Sequence, residues 1–320
     1  MKKILVTGCA GFIGSHLCEK LLALGYQVSG IDNFDPFYSP TIKHKNLSNF
    51  INHPNFEFVE TDLSDKIELE KNFPAKIDLI VHLAAKAGVR PSIEDPSGYI
   101  KANIVATQNV LDIMKEQSIK KLAFASSSSV YGNTKATPFH EEMDVSNPIS
   151  PYAATKKACE LINYTYHHLY RLDIINMRFF TVFGPRQRPD FAIHKFTKLI
   201  QNGKPVTLFG DGSTARDYTF IDDTLAGITG AISYLFEHEQ VFETVNLGNN
   251  QPVGLKTMVQ TIYDAIGQQP NLKYAPMQPG DVDITYADIS KANILFAYQP
   301  TYSFEEGVKK FVQWYDETMK

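Results

Sequence analysis

Two side chains four residues apart, Tyr152 and Lys156, pose the first chemical question. They lie in the segment Ser150-Pro151-Tyr152-Ala153-Ala154-Thr155-Lys156. Ser is a favoured helix N-cap and Pro suits the first helical position, so a helix is expected to start at Ser150. On that helix Tyr152 and Lys156 share a face. An ammonium beside a phenol favours the phenolate, which predicts a Tyr152 pKa below the usual ~10 and a general base for an alcohol. Upstream, Ser126-Ser127-Ser128-Ser129 offers a row of hydroxyls to orient that alcohol. Spacing alone is weak: with 16 Tyr and 31 Lys plus Arg, chance pairs arise, and Tyr131 and Lys135 are one. Gly132 and Asn133 make that second segment a turn, whose two ends need not share a face.

The first third of the chain reads as the scaffold that would hold those groups. Lys3-Ile4-Leu5-Val6-Thr7 has the apolar run of a buried strand, and Gly8-Cys9-Ala10-Gly11-Phe12-Ile13-Gly14 follows it. Helical periodicity from Ser15 to Leu24 and an apolar strand from Gln27 to Ile31 complete a dinucleotide-binding unit. Gly8 allows the tight turn, Gly11 lets a pyrophosphate approach the backbone, and Gly14 lets helix pack on strand. Phe12 and Ile13 supply N–H groups at the helix N-terminus, where phosphate charge is stabilised. The spacing is G-x-x-G-x-x-G, and a purely structural glycine turn is the alternative. Asp32 argues against it: it closes the second strand near the ~20-residue offset at which a carboxylate accepts from both ribose hydroxyls. Its neighbour is Asn33 and not Arg, so the reading is NAD and not NADP.

Further strands are expected at Phe56–Val59, Asp78–Ala85, Lys121–Ala125 and Asp173–Phe180, with helices over 93–117, containing Asn103, and 150–170. Asp62, beside Leu63, is read as meeting the adenine amino group or as a simple helix N-cap. Leu83, Ala84 and Ala85 are small enough for backbone to lie against a cofactor, while His82 reads as a packed strand residue. The fifth strand delivers Ser126–Ser129 to the carboxyl edge of the sheet, where ligands bind in open parallel sheets. The fold class is therefore α/β, a doubly wound parallel sheet of Rossmann type, with a smaller mixed α/β substrate domain.

Composition bounds the alternatives. A chain of 320 residues with 43% apolar and 21% charged residues is ordinary for a globular protein that can split into two domains. A net charge of −4 gives no broad basic field for nucleic acid. Cys9, Cys18 and Cys159 lack metal-ligand spacing and read as reduced thiols of a cytoplasmic protein. No metal site is expected: His140 with Glu141, Glu142 and Asp144 reads as a solvated loop. No apolar run is long enough to span a membrane, and Met1-Lys2-Lys3 is not read as a signal peptide. In the second half, Arg186 and Arg188 follow Phe183-Gly184-Pro185, and Val206-Thr207-Leu208-Phe209 precedes a Gly-Asp-Gly turn and Arg216. Arginines in loops beyond a sheet edge suit a diphosphate or a carboxylate.

Taken together, the chain resembles the extended short-chain dehydrogenase/reductases that epimerise nucleotide sugars. The resemblance covers nearly the whole length. Its carriers are Val6 to Gly14, Asp32, Asp62-Leu63, Leu83-Ala84-Ala85, Asn103, the serine run, Tyr152/Lys156, Arg178-Phe179-Phe180, Phe183-Gly184-Pro185, Leu208 to Gly212 and Arg216-Asp217. Ala87-Gly88-Val89-Arg90, Thr181-Val182 and Arg188-Pro189-Asp190 point to the branch that acts on UDP-glucuronate. Thr181 stands where galactose epimerases usually carry Asn. Ser128 and Ser129 stand where 4,6-dehydratases carry an acidic pair and decarboxylating synthases a Glu.

The resemblance implies an NAD-dependent 4-epimerase interconverting UDP-glucuronate and UDP-galacturonate through a 4-keto intermediate. Tyr152 would be the base, Lys156 would lower its pKa and hold the nicotinamide ribose, and Ser127 and Ser129 would orient the 4-hydroxyl. Ser127, Ser128, Ser129 and Thr181 would bind the sugar carboxylate. Arg90, Arg188, Val206, Leu208, Phe209, Arg216 and Asp281 complete the implied UDP-sugar site. An NAD-binding domain over 1–180, joined by returning segments within about 216–250, would face a UDP-sugar domain over 181–320, and the assembly would be a homodimer. The rivals are a 4-epimerase of UDP-N-acetylglucosamine or UDP-glucose, on which the small Thr285 bears, and a non-catalytic NAD-binding protein.

Overall fold

Near-continuous runs of Ile, Leu and Val make strands that are buried on both faces, and such strands pair in parallel under two helical layers. The computed structural model describes residues 1–276 and 283–319. The first half of the chain runs β1 (Lys3–Thr7), α1 (Phe12–Ala23), β2 (Gln27–Asp32), α2 (Pro40–Leu47), β3 (Phe56–Glu60), α3 (Lys66–Asn72), β4 (Leu79–His82), α4 (Val89–Glu94) and α5 (Pro96–Tyr99). It continues through α6 (Ala106–Glu116), β5 (Lys121–Ser127), α7 (Pro151–Tyr170) and β6 (Asp173–Phe179). The second half comprises β7 (Thr181–Phe183), α8 (Ala192–Gln201), β8 (Val206–Phe209), β9 (Ala215–Phe220), α9 (Ile221–Glu237), β10 (Phe242–Leu247) and β11 (Pro252–Gly254). It closes with α10 (Leu255–Ile266), β12 (Leu272–Ala275), α11 (Ser290–Phe296) and α12 (Phe304–Met319).

Seven strands form one parallel sheet in the order β10-β6-β5-β4-β1-β2-β3. Side chains alternate across it, as the two-residue strand period requires. Leu5, Ile80, Leu122 and Phe124 pack with Val110, Met114 and Cys159 on one face. Ile4, Val6, Leu79, Val81 and Ala123 pack with Leu17, Leu21, Ile228 and Ile232 on the other. β10 brings the chain back to this sheet beside β6 after the excursion through β7–α9. Beyond the carboxyl edge lie a three-stranded sheet, β11-β9-β7, and a parallel pair, β12-β8.

The expected helix over 93–117 is instead four pieces. Pro96 lacks the N–H a continuing helix needs, and Asp95 before it leaves helical geometry and caps Gly98 N at 2.9 Å. A π-helical turn, Ile100–Val105, then precedes α6. β4 stops at His82 and not Ala85, because the Leu83 and Ala84 N–H groups donate to Thr7 Oγ1, both at 3.1 Å.

Candidate active site

At the end of β1, Gly8 takes φ +70°, and a Cβ there would stand 2.9 Å from Ala84 N. A Cβ on Gly14 would stand 2.1 Å from Gly8 O, so helix and strand touch through bare backbone. No side chain caps the N-terminus of α1, and Gly11, Phe12, Ile13 and Gly14 line a cavity of about 460 Å³. Asp32, Asn33, Asp62, Leu63, Leu83, Ala84 and Ala85 line the same cavity. Uncapped helix donors, a glycine cradle with no room for side chains and a carboxylate at the strand end fit a dinucleotide. Asp32 is buried, accepting from Ala10 N at 3.1 Å and Phe34 N at 2.9 Å. Asp62 is not a helix cap: it accepts from Ser64 N and Ser64 Oγ at 2.8 and 2.7 Å, and Asp65 caps α3.

Asn103 sits one layer behind the cavity wall. Its side chain is taken up by Lys86 N at 2.9 Å, Lys86 O at 3.0 Å and Thr155 Oγ1 at 2.9 Å. It therefore fixes the loop after β4 to α7. His82 is packed between Thr7 Oγ1 at 2.7 Å and Thr107 Oγ1 at 3.2 Å, and burial, with the Lys156 charge, brings its pKa down to about 3.

At the far end of the cavity, Ser150 Oγ caps α7 by accepting from Ala153 N at 3.1 Å. Tyr152, Lys156, Ser127, Ser128, Ser129 and Thr181 converge there. Ser127 Oγ donates to Ser129 Oγ at 3.1 Å, accepts from Ser129 N at 3.1 Å and shares a hydrogen bond with the Tyr152 phenol. Lys156 Nζ, buried, donates to Ala125 O at 2.8 Å and stands 5.2 Å from the Phe124 ring centre. The direction of the Tyr152 pKa corrects the sequence expectation. Burial pushes the phenol above its ordinary value, against the pull of Ser127 and of the Arg188 charge. Burial likewise brings Lys156 down to about 8, although Cys159 and Glu160 oppose it. Desolvation outweighs charge proximity when both groups leave water.

Behind the serines runs a buried polar chain that sequence reasoning missed. Ser126 Oγ donates to Glu160 Oε1 at 2.6 Å, and Arg178 forks onto Glu160 with two bonds of 2.9 Å. Arg178 also donates to Tyr131 Oη at 3.0 Å, and Tyr131 donates to Asn246 Oδ1 at 2.7 Å. Burial raises Glu160, but the bonds and charge of Arg178, with Ser126, hold it below the ordinary carboxyl range. Glu141 is not solvated: its carboxylate accepts from Asn246 N at 2.7 Å.

The arginine-bearing half is less gathered. Arg188 lines the cavity, its guanidinium 4.8 Å from the Phe37 ring centre and 4.7 Å from that of Phe191. It bonds Ala87 O at 3.0 Å and forks onto Asp190 at 3.0 and 2.7 Å. Arg90 lies over Phe209, 5.8 Å from the ring centre, outside the cavity lining. Val206 and Leu208 are fully buried core residues and are not in the cavity lining. Arg216 lies on β9 and donates to Ala215 O at 2.8 Å. Thr285 Oγ1 accepts from Asp217 N at 3.0 Å and is not in the cavity lining. Asp281 lies outside the described residues. Lys43, Tyr38 and Phe37 line the cavity beside Asp32 and were also missed. Their signal is the run of aromatics after Asn33, leading to Pro40 at the start of α2.

A cavity at the carboxyl edge of a doubly wound sheet, entered by a helix-borne Tyr and a buried Lys, defines a dinucleotide-dependent α/β enzyme. A family model described as GDP-mannose 4,6 dehydratase matches residues 5–311, and the chain belongs to this nucleotide-sugar family of extended short-chain dehydrogenase/reductases. A UDP-glucuronate 4-epimerase of Thermodesulfobacterium geofontis is 43% identical, over 99% of this chain and 97% of its own. The solved UDP-glucuronic acid 4-epimerase of Bacillus cereus, in complex with UDP-glucuronic acid and NAD, superposes with a TM-score of 0.90. It is 35% identical, with 98% of this chain and 99% of that one covered. A UDP-N-acetylglucosamine 4-epimerase from Methanobrevibacter ruminantium, in complex with UDP-N-acetylmuramic acid, reaches 0.89 at 32% identity over 99% of both chains.

Proposed function

We infer that this chain is an NAD-dependent 4-epimerase that interconverts UDP-glucuronate and UDP-galacturonate through a transient 4-keto sugar. The observation that carries it is the makeup of the cavity's sugar end. Among the described residues, hydroxyls of Ser127, Ser128, Ser129 and Thr181 and the Arg188 guanidinium surround Tyr152, with no carboxylate lining that end. Hydroxyl donors and a cation suit a sugar carboxylate, and the absence of an added acid there disfavours removal of the C5 proton.

NAD, when bound, accepts the hydride from the sugar C4 and returns it to the opposite face. Gly8, Gly11, Phe12, Ile13 and Gly14 hold its pyrophosphate, Asp32 and Asn33 its adenosine ribose, and Asp62 and Leu63 its adenine. Leu83, Ala84 and Ala85 line its path, with Asn103 holding their loop through Lys86. Tyr152 removes the 4-hydroxyl proton, and Ser127 and Ser129 orient that hydroxyl. The Ser127 bond and the Arg188 charge work against the burial that keeps the phenol protonated. Lys156 contributes its cation and a ribose contact. Arg90, Phe209 and Arg216 meet the uridine diphosphate, with Val206 and Leu208 anchoring the strand that carries Phe209 in the core. The division remains a cofactor half over 1–180, rejoined within about 216–250, and a UDP-sugar half over 181–320.

The reading includes a homodimer in which α7 and the helical region over about 93–117 pack as a bundle. Ile100, Leu161 and Tyr164 on these elements are 49, 58 and 54% exposed, a large apolar area for a free surface. Light scattering of the purified protein would show twice the chain mass. Buried free cysteines and the lack, among the described residues, of a helix long and apolar enough to cross a membrane accord with a cytoplasmic enzyme. The substrate test is a product chromatogram with UDP-glucuronate, UDP-glucose and UDP-N-acetylglucosamine at equal concentration. UDP-glucuronate should convert fastest, to UDP-galacturonate and without a UDP-pentose. Faster conversion of either neutral sugar overturns the substrate and leaves the 4-epimerase chemistry; no turnover of any sugar points to a binding protein.

A further inference from the structure

Lys43 changes the meaning of Asp32. Its ammonium lies 3.7 Å from Asp32 Oδ1, with the two side chains 8 and 6% exposed. Both line the cavity, and Lys43 Nζ stands 5.0 Å from the centre of the Tyr38 ring. Asp32 is held without Lys43, since its two oxygens accept from Ala10 N and Phe34 N. The reverse does not hold: among the described residues, Asp32 is the carboxylate within ion-pair distance of Lys43. The strand end is therefore a neutral pair, a fixed acceptor beside a buried cation that depends on it, and not an isolated anion.

We propose that Asp32 and Lys43 together set the choice between NAD and NADP, and that Lys43 is a latent site for a 2′-phosphate masked by Asp32. The proposal rests on reading this cavity as the dinucleotide site. A ribose 2′-hydroxyl satisfies the carboxylate as a donor and leaves the ion pair intact. A 2′-phosphate meets repulsion from Asp32 and attraction from Lys43 at the same place. Removing the Asp32 charge leaves a buried ammonium without its counter-ion, and a phosphate dianion is the matching partner.

The test titrates NAD and NADP calorimetrically into nucleotide-free protein, for wild type, Asp32→Asn, Lys43→Met and the double variant. Thermal melts of each check folding. Wild type should prefer NAD. Asp32→Asn should shift the NADP/NAD affinity ratio roughly ten- to hundredfold towards NADP, the range of a charge-assisted contact. Adding Lys43→Met should abolish that gain. Lys43→Met alone should widen the wild-type preference for NAD, and this arm stands even if Asp32→Asn does not fold. Equal NADP affinity in Asp32→Asn and the double variant, or an unchanged ratio in Lys43→Met, overturns the proposal. Wild type that binds neither nucleotide overturns the reading of the cavity itself.

Discussion

Successive turns along one stripe of α7 handle polar groups in opposite ways. Towards the cavity, Tyr152 and Lys156 are desolvated with few partners, a Ser127 hydroxyl for one and the Ala125 carbonyl for the other. Both pKa values consequently move towards the neutral form. One turn further along the same stripe, Glu160 lies outside the cavity lining and is saturated by Ser126 and the Arg178 fork. Its pKa moves towards the charged form. Groups drawn out of water thus reach opposite outcomes, decided by how many hydrogen bonds reach the charged atom. Partner-poor groups are poised to act on a ligand, whereas partner-rich groups hold the strand ends in register.

Substitutions at the cavity turns and at the Glu160 turn should separate activity from stability. Tyr152→Phe should lower turnover by about 10²–10⁴-fold, the usual worth of a general base. The ring packing survives, so the melting temperature and nucleotide retention should stay close to wild type. Steady-state rates and melts on one preparation check this, and a variant with near-native turnover removes Tyr152 from the mechanism. Glu160→Ala should do the reverse. It leaves Arg178 charged and unpaired in the interior, at a cost of about 3–5 kcal/mol. Denaturant unfolding should show that loss, with turnover of the folded protein affected far less than by Tyr152→Phe.

The cavity side can also be tested by pH. The folded chain holds Lys156 at about 8, below its ordinary 10.5. Between those values the unfolded chain binds a proton that the folded chain lacks, so this group's contribution to stability rises with pH. Below pH 8 burial of the cation costs on the order of 3 kcal/mol. Lys156→Met removes that cost, while the raised Cys9, Cys18 and Tyr152 are common to both proteins and cancel. The stability of wild type relative to Lys156→Met should therefore be nearly constant below pH 8 and improve from pH 8 to pH 10. A difference that stays flat across that range would contradict a desolvated lysine.

The contrast also explains what the sequence could tell. Gly8, Gly11 and Gly14, Asp32, the serine run and the Tyr152/Lys156 spacing are legible because each depends on neighbours close in the chain. The parallel sheet follows from its apolar strands for the same reason. The Glu160–Arg178–Tyr131–Asn246 chain joins α7, β6, β5's exit and β10, and no local pattern announces it. Lys43 likewise looks like any helix-surface lysine until α2 folds against β2. Glu141 reads as loop charge until Asn246 N finds it. The Tyr152 pKa was misjudged because spacing shows the lysine but not the depth of burial. Nor does the sequence show that Arg188 lies between Phe37 and Phe191 and bonds Asp190, since those rings come from opposite halves of the fold.

Adjacent serines on β5 give the smallest and most selective test. Strand alternation sends Ser126 and Ser127 to different sides. Ser126 Oγ reaches Glu160, and Ser127 Oγ reaches Ser129 and Tyr152. Ser126→Ala deletes one of several bonds to Glu160 and should cost about 1–2 kcal/mol of stability. The Arg178 fork remains, so the carboxylate stays paired and turnover should change little. Ser127→Ala should be nearly neutral in a melt, because Tyr152 and Ser129 can turn to a ligand or to water. It removes, however, the hydrogen bond that draws the Tyr152 phenol downward, leaving burial less opposed. The rate limb set by that phenol should move to higher pH, with reduced turnover near neutrality. Two neighbouring alanines would then give one stability phenotype and one pH phenotype. If instead Ser126→Ala shifts the pH profile and Ser127→Ala only the melt, the functional division between the cavity turns of α7 and its Glu160 turn is wrong.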